Sequence, residues 1–242
     1  VYVVRGTRNL ASANLSIGGG LYTAPCNGDP TKPIIDNLRS AGIAAVIAAG
    51  NNGSTNAVSA PGCISSAISV GATTKTDVVA SYSNLASFVS LLAPGSSIYS
   101  SVVAGGFGYA SGTSMATPHV AGTWAVLKQA APSASVDQIL AALQTTGLLI
   151  TDTRSGGTVT KPRIRVDQAL AALVPTVSSV TPNQGAPATA MPVTINGAGF
   201  SAGSTVSLSG TGITVSNLTL VSATQLTATL TISATATAGA RD

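Results

Sequence analysis

The apolar positions of residues 1–174 alternate between short continuous runs and helical spacing. Continuous runs flanked by glycine indicate strands buried on both faces of a sheet. Spaced apolar positions that follow Pro or Ser indicate helices. The predicted strands are residues 13–17, 43–48, 66–70 and 88–92, and the predicted helices are 33–40, 117–131 and 136–145. This order predicts an α/β domain with a largely parallel sheet and helices on both faces.

The pattern changes at Pro175. From there to the end about one residue in three is Ser or Thr, the two last residues carry the only charges, and Phe200 is the only aromatic residue. Short alternating runs, separated by turn signals, cover residues 193–195, 205–208, 218–220 and 225–230. We therefore expect a second domain over 175–242, a small all-β sandwich.

The acidic and histidine content excludes several chemistries. All seven acidic residues are Asp, and His119 is the only His. The absence of Glu excludes a catalytic glycosidase pair that contains Glu. It also excludes an H-E-x-x-H zinc motif. One His and two Cys are too few for a four-ligand zinc site of these residues, so a zinc site of this kind is excluded.

Charge and hydrophobicity also limit the partners. Only 7% of the residues are charged, and the net charge of +4 is scattered along the chain, so nucleic acid is not expected as a partner. The longest apolar run, residues 41–49, is shorter than the roughly 20 residues that cross a bilayer, so we predict no membrane span.

Cys26 and Cys63 both lie in loop-like sequence. Low charge and many Ser and Thr residues suit a secreted protein, where disulfides persist. A disulfide between the two cysteines is the prediction; two free thiols remain the alternative.

Residues 112–122, Gly-Thr-Ser-Met-Ala-Thr-Pro-His-Val-Ala-Gly, place Ser114 between a glycine turn and the start of an apolar helix. A helix N-terminus favours negative charge and offers free N–H groups, which suits a nucleophile. The same position also suits an ordinary helix N-cap.

This segment resembles the serine motif of the subtilisin-like peptidases, the subtilase family. Four more segments resemble that family in the right order: residues 14–20, 48–53, 69–72 and 92–95. The resemblance implies a serine endopeptidase that works through an acyl-enzyme on Ser114. It implies that Asn51 donates its side-chain amide to the oxyanion, although an Asn in Gly-Asn-Asn-Gly is also a common turn residue.

The resemblance further implies a cleft that binds a protein or peptide chain in extended form. Ser16, Ile17 and Gly18 would pair with the substrate backbone as an added strand. Ala48, Ala49 and Gly50 would form a wall of the pocket for the residue before the cleaved bond. The chemistry needs no cofactor. Structural calcium is common in the family, but no residue of this chain is assignable to it.

His119 does not suit the role of general base. It lies five residues after Ser114 on one helix, about 140° round the axis. In the family, the triad Asp and His precede the strand at residues 13–17. We therefore expect the chain to be a piece of a longer protein, cut inside the catalytic domain and inactive alone.

The sequence has two alternative functional interpretations. One is a catalytically dead subtilase-like scaffold that acts in binding or adhesion through its second domain. The other, an α/β-hydrolase-type esterase, is disfavoured because the motif is Gly-x-Ser-x-Ala and no His follows at a workable distance.

Residues 179–185 (Ser-Val-Thr-Pro-Asn-Gln-Gly) and the Gly-Ala-Gly-Phe turn at 197–200 resemble the immunoglobulin-like IPT/TIG domain. The match runs to the end of the chain, so we expect a final strand or two to be missing. Such modules act as spacers, or they could contact a surface or glycan; both remain open.

Overall fold

The computed structural model describes residues 9–103, 105–154, 158–200 and 202–242. Residues 1–8, 104 and 155–157 of the predicted domain 1–174, and residue 201 of the predicted domain 175–242, lie outside the described residues. The chain divides into two compact units, and the division falls between Leu170 and Ala171.

The first unit contains ten strands among its described residues: β1 (Ser12–Leu15), β2 (Gly19–Tyr22), β3 (Ala44–Ala48), β4 (Val58–Ala60), β5 (Ile68–Thr73), β6 (Leu91–Pro94), β7 (Ile98–Ser101), β8 (Phe107–Ala110), β9 (Leu148–Thr151) and β10 (Thr160–Arg163). Its helices are α1 (Lys32–Ser40), α2 (Thr113–Ala130) and α3 (Val136–Thr146), and α4 (Val166–Leu173) crosses the division.

Six strands form the main sheet in the order β1-β3-β5-β6-β10-β9. All neighbours are parallel except β10 and β9. Every residue of β3 and β5 is buried. Because both faces of these strands are covered by other parts of the unit, their sequences are continuous apolar runs.

Helices cover the two faces. Ile35 of α1 shares a cluster with Ala45 and Ile47 of β3, so α1 lies against that face. The alternate residues of β3 point to the opposite face, where α2 packs across β1, β3, β5 and β6. Val120, Trp124 and Leu127 of α2 are fully buried there. The predicted α/β architecture is confirmed.

Helix α2 begins at Thr113, four residues before the predicted start at 117. Pro118 suggested the helix start because Pro favours the first turn. Here it lies within the helix and has no N–H for the carbonyl of Ser114. The Ser16 hydroxyl donates to that carbonyl instead (2.8 Å), so the carbonyl that the proline leaves without its helical partner is still hydrogen-bonded.

The second unit is a four-stranded antiparallel sheet in the order β11-β12-β14-β13, with β11 (Thr176–Thr181), β12 (Thr189–Ala198), β13 (Ile213–Ser222) and β14 (Gln225–Ile232). One face carries an apolar cluster that includes Val193, Leu226 and Phe200.

The described residues of this unit thus form one sheet rather than the two facing sheets of a sandwich. The prediction of a strand at 205–208 is wrong. Val206 and Leu208 pack on the apolar cluster from a loop. The alternation of apolar and polar residues at 205–208 therefore reflects side-chain burial and not strand pairing.

Cys26 and Cys63 form the predicted disulfide, with Cα atoms 5.3 Å apart. The Cys26 amide also donates to the Cys63 carbonyl (3.0 Å). Within the described residues, no helix has both the length and the apolar character to cross a membrane.

Candidate active site

Three chain segments meet at one edge of the main sheet. Parallel neighbours β1 and β3 end there, because the carboxyl ends of parallel strands lie on the same side of a sheet. Residues 16–18 follow β1, and residues 49–51 follow β3. The first turn of α2 brings Ser114 to the same edge.

A cleft of about 760 Å³ lies between these segments. Most of the predicted site residues line it: Ser16, Ile17, Gly18, Ala48, Gly50, Asn51 and Ser114. Ala49 is not among the lining residues described, since it is fully buried and its side chain belongs to the cluster on the α1 side. At the end of β3 and in the segment after it, the cleft is therefore lined by Ala48 and Gly50, which are small, and by Asn51.

The orientation of the Asn51 amide is determined by Thr113. The Thr113 backbone N–H donates to Asn51 Oδ1 (2.8 Å), and the Thr113 hydroxyl donates to the same oxygen (2.9 Å). Because a backbone N–H can only donate, the atom that faces it must be the oxygen. The Asn51 nitrogen is therefore turned away from Thr113 and remains available to donate to another group.

Ser114 is held against the segment after β1. Its hydroxyl donates a long hydrogen bond to the Ser16 carbonyl (3.4 Å), while the Ser16 hydroxyl donates to the Ser114 carbonyl. The reciprocal pair links the end of β1 to the first turn of α2. This link couples the cleft wall to the Ser114 backbone.

His119 does not interact with the Ser114 hydroxyl. Its Nδ1 lies 2.8 Å from the Met115 carbonyl, one turn earlier on the same exposed side of α2. The ring therefore lies along its own helix.

A second cleft of about 450 Å³ adjoins Ser114 on its other side. It is lined by Met115, Pro118 and the β7–β8 ribbon. The rings of Tyr99, Phe107 and Tyr109 share one face of that ribbon. The ring centroid of Tyr99 lies 5.7 Å from that of Phe107 and 4.9 Å from that of Tyr109. These rings are exposed.

Sequence reasoning missed three residues that organise the cleft. Thr113 orients Asn51 and accepts a hydrogen bond from the Gly50 amide (3.2 Å). Ser59 lines the cleft, and buried Asn84 hydrogen-bonds the loop that carries Asn51. Thr113 lies within the serine motif, which was a usable signal. Asn84 and Ser59 lie in loops with no local pattern that marks them.

Groups of three or more His, Cys, Asp or Glu side chains close enough to hold a metal ion do not occur among the described residues. The structure thus points to no residues for the calcium ion that the family resemblance allowed.

Comparison with known proteins identifies the class. The model of the Subtilase family matches residues 13–199, and that of the IPT/TIG domain matches residues 175–240. The chain belongs to the subtilase family. It is therefore related to subtilisin-like serine proteases, and its last part is an IPT/TIG domain.

Individual relatives agree. The chain is 37% identical over 161 residues to alkaline serine exoprotease A of Vibrio alginolyticus, a match that covers 66% of this chain and 28% of that protein. It is 42% identical over 137 residues to the extracellular serine proteinase of Thermus sp. strain Rt41A, with 55% and 32% covered. The chain thus spans about a third of the length of these relatives.

Solved structures show the same fold. Proteases from Pseudoalteromonas arctica PAMC 21717 superpose with a TM-score of 0.58 at 32% identity, over 67% of this chain and 51% of that one. A cold adapted subtilisin-like serine proteinase gives 0.55 at 33% identity, with 65% and 56% covered.

Proposed function

We propose that the chain carries the nucleophile and oxyanion-binding part of a secreted serine endopeptidase. Ser114 Oγ attacks the carbonyl carbon of a peptide bond and forms a tetrahedral intermediate. The hydroxyl proton of Ser114 passes to a general base, which returns it to the amine as the C–N bond breaks. The acyl group remains on Ser114 as an ester that water hydrolyses.

The observation that carries the proposal is the orientation of Asn51. Two donors from Thr113 occupy Oδ1, so the amide nitrogen is presented as a donor beside the first turn of α2. A preorganised donor of this kind stabilises negative charge as it develops on the carbonyl oxygen. The Ser114 backbone N–H, at the positive end of α2, is the second donor.

The substrate proposed is a protein chain in extended form. Residues 16–18 follow β1 directly, line the cleft and are partly or largely exposed; Ile17 is 60% exposed. Their backbone can pair with substrate as an added strand. The disulfide, and relatives such as the extracellular Thermus proteinase, support secretion.

The proposal also holds that these 242 residues lack a general base for Ser114. His119 is the only His of the chain; its ring hydrogen-bonds the Met115 carbonyl on its own helix, whereas the Ser114 hydroxyl donates to the Ser16 carbonyl. The base and its Asp partner would come from a part of the protein outside this sequence.

A fluorophosphonate probe tests both parts. The 242-residue chain should label no faster than its Ser114→Ala variant, whereas the full-length protein that contains it should label rapidly and only with Ser114 present. Rapid labelling of the isolated chain would refute the missing base. A full-length protein that does not label would instead favour the catalytically dead binding scaffold.

A further inference from the structure

Asn84 is a fully buried polar residue in the connection between β5 and β6. Its Oδ1 accepts hydrogen bonds from the backbone amides of Asn52 (2.9 Å) and Ser54 (3.1 Å). Two backbone donors fix this end of the amide as the oxygen. Asn84 thus holds the residues that directly follow Asn51.

The other end of the same amide holds the residues before Asn51. Asn84 Nδ2 lies within hydrogen-bond distance of the Ala49 carbonyl (3.1 Å), the Asn52 side-chain oxygen (3.2 Å) and the Ser59 hydroxyl (3.3 Å). The Asn84 backbone amide donates to the Gly50 carbonyl (2.9 Å). One buried residue therefore forms hydrogen bonds with the loop on both sides of Asn51.

The loop has no room to shift toward Asn84. Gly50 has φ +103°, and a Cβ built there would lie 2.4 Å from Asn84 Nδ2 and 2.3 Å from Ser59 Oγ. Both distances are far below van der Waals contact. The Gly50 backbone consequently packs directly on the Asn84 amide.

The segment that carries Asn84 is itself anchored. Arg154 Nη1 donates to the carbonyls of Ala80 (3.2 Å), Ser81 (3.1 Å) and Ser83 (2.6 Å). Arg154 is in turn paired with the buried Asp152. Asn84 therefore acts from a rigid support rather than from a free loop.

The same segment also reaches the turn before Ser114. The Tyr82 hydroxyl donates to the Gly95 carbonyl (2.8 Å), which also accepts the Gly112 amide (2.9 Å). Residues 82–84 thus contact the Asn51 loop directly, and they are linked to the turn that leads into α2 through the Gly95 carbonyl.

We propose that Asn84 is a positioning residue of the oxyanion-binding site, which sets the Asn51 loop at its distance from Ser114. The inference rests on the proposed function, because it gives Asn51 the role of donor. A transition-state donor must be held within about 0.5 Å of its productive position. Thr113 orients the Asn51 side chain, and Asn84 holds the backbone from which that side chain extends.

The test is a double-mutant cycle in the full-length protein, with Asn51→Ala, Asn84→Ala and the two combined. Exposed Asn37 on α1 provides a control, Asn37→Ala. Loss of an oxyanion donor costs on the order of 10²–10³ in kcat, so Asn51→Ala should show a loss of this size. Asn84→Ala should lower kcat by about tenfold or more with little change in KM, as loss of a transition-state interaction does.

The combined variant decides between positioning and general stability. If Asn84 acts through Asn51, the double variant is no slower than Asn51→Ala alone. Additive losses, or a lower melting temperature with unchanged kcat, would overturn the inference. Unchanged kcat in Asn51→Ala would instead refute the proposed function.

Loss of Asn84 can prevent folding, so a measurement on the unaltered 242-residue chain complements the cycle. The Asn52 and Ser54 amides lie in an accessible loop, yet both donate to a buried oxygen. Their hydrogen exchange should be at least about tenfold slower than that of an unprotected amide. Exchange at the unprotected rate would show that Asn84 does not hold the loop, and would overturn the inference.

Discussion

Reduction of the Cys26–Cys63 disulfide should destabilise the first unit without changing its folded structure. The Cys26 amide and Cys63 carbonyl remain hydrogen-bonded without the covalent link. The effect therefore falls on the unfolded chain, which gains the freedom that the closed loop removed. For a sequence separation of 37 residues, chain entropy predicts a loss of about 4 kcal/mol in the free energy of unfolding.

Tryptophan fluorescence measures this loss in the right part of the molecule. Trp124 is the only tryptophan and is fully buried in α2, so its emission reports the first unit alone. Guanidinium unfolding, with a slope of about 4 kcal/mol per M, should shift its midpoint by about 1 M on reduction.

The variant Cys26→Ala/Cys63→Ala is the matched control. Reductant should have no effect on it, and its midpoint should lie close to that of the reduced protein. A reduction-induced shift below about 0.3 M would refute the reasoning, because the loop would then not be constraining the unfolded chain.

Three further predictions concern single residues. Burial alone would raise the pKa of Asp152, but the hydrogen bonds and charge of Arg154 hold it below its usual range. The Asp152 carboxyl therefore binds a proton less readily in the folded state than in the unfolded chain. The stabilisation that the ionised carboxylate contributes is present at neutral pH and is lost as the pH falls below about 4. Asp152→Asn should cost roughly 3 kcal/mol at pH 7 and flatten the pH dependence of the unfolding free energy below about pH 4, and an unchanged slope would contradict this. Gly50→Ala should cost more than about 2 kcal/mol in tryptophan-monitored unfolding, because its Cβ would lie 2.3 Å from Ser59 Oγ at φ +103°; a neutral result would show that the loop can move. His119→Ala in the full-length protein should leave kcat/KM within about twofold of the unaltered value, and a loss of 10² or more would make it catalytic.

Local patterns were sufficient for much of the fold. Continuous apolar runs predicted the parallel strands, because strands covered on both faces need no polar positions. The predicted disulfide and the family are also confirmed. The strand predictions depend on residues that are close in sequence, and the family on short continuous segments such as Gly112 to Gly122. The disulfide followed from the presence of two cysteines in a composition that suits a secreted protein.

Local patterns misled where a distant group changed their meaning. Pro118 marked a helix start in the sequence, but the helix begins at Thr113, and the Ser16 hydroxyl donates to the carbonyl that the proline leaves without its helical partner. The run at 205–208 resembled a strand, but it buries its apolar side chains from a loop.

The arrangement of the site was decided by tertiary structure alone. The chain order places Asn84 33 residues after Asn51 and Ser114 a further 30 residues on. Nothing in the sequence around Asn84 indicates that its amide holds the Asn51 loop. A buried polar group must find its hydrogen-bond partners wherever the fold places them, and here those partners belong to segments that come together only when the sheet forms. The sequence therefore specified the chemical groups, while the packing of β1, β3 and α2 determined their distances and orientations.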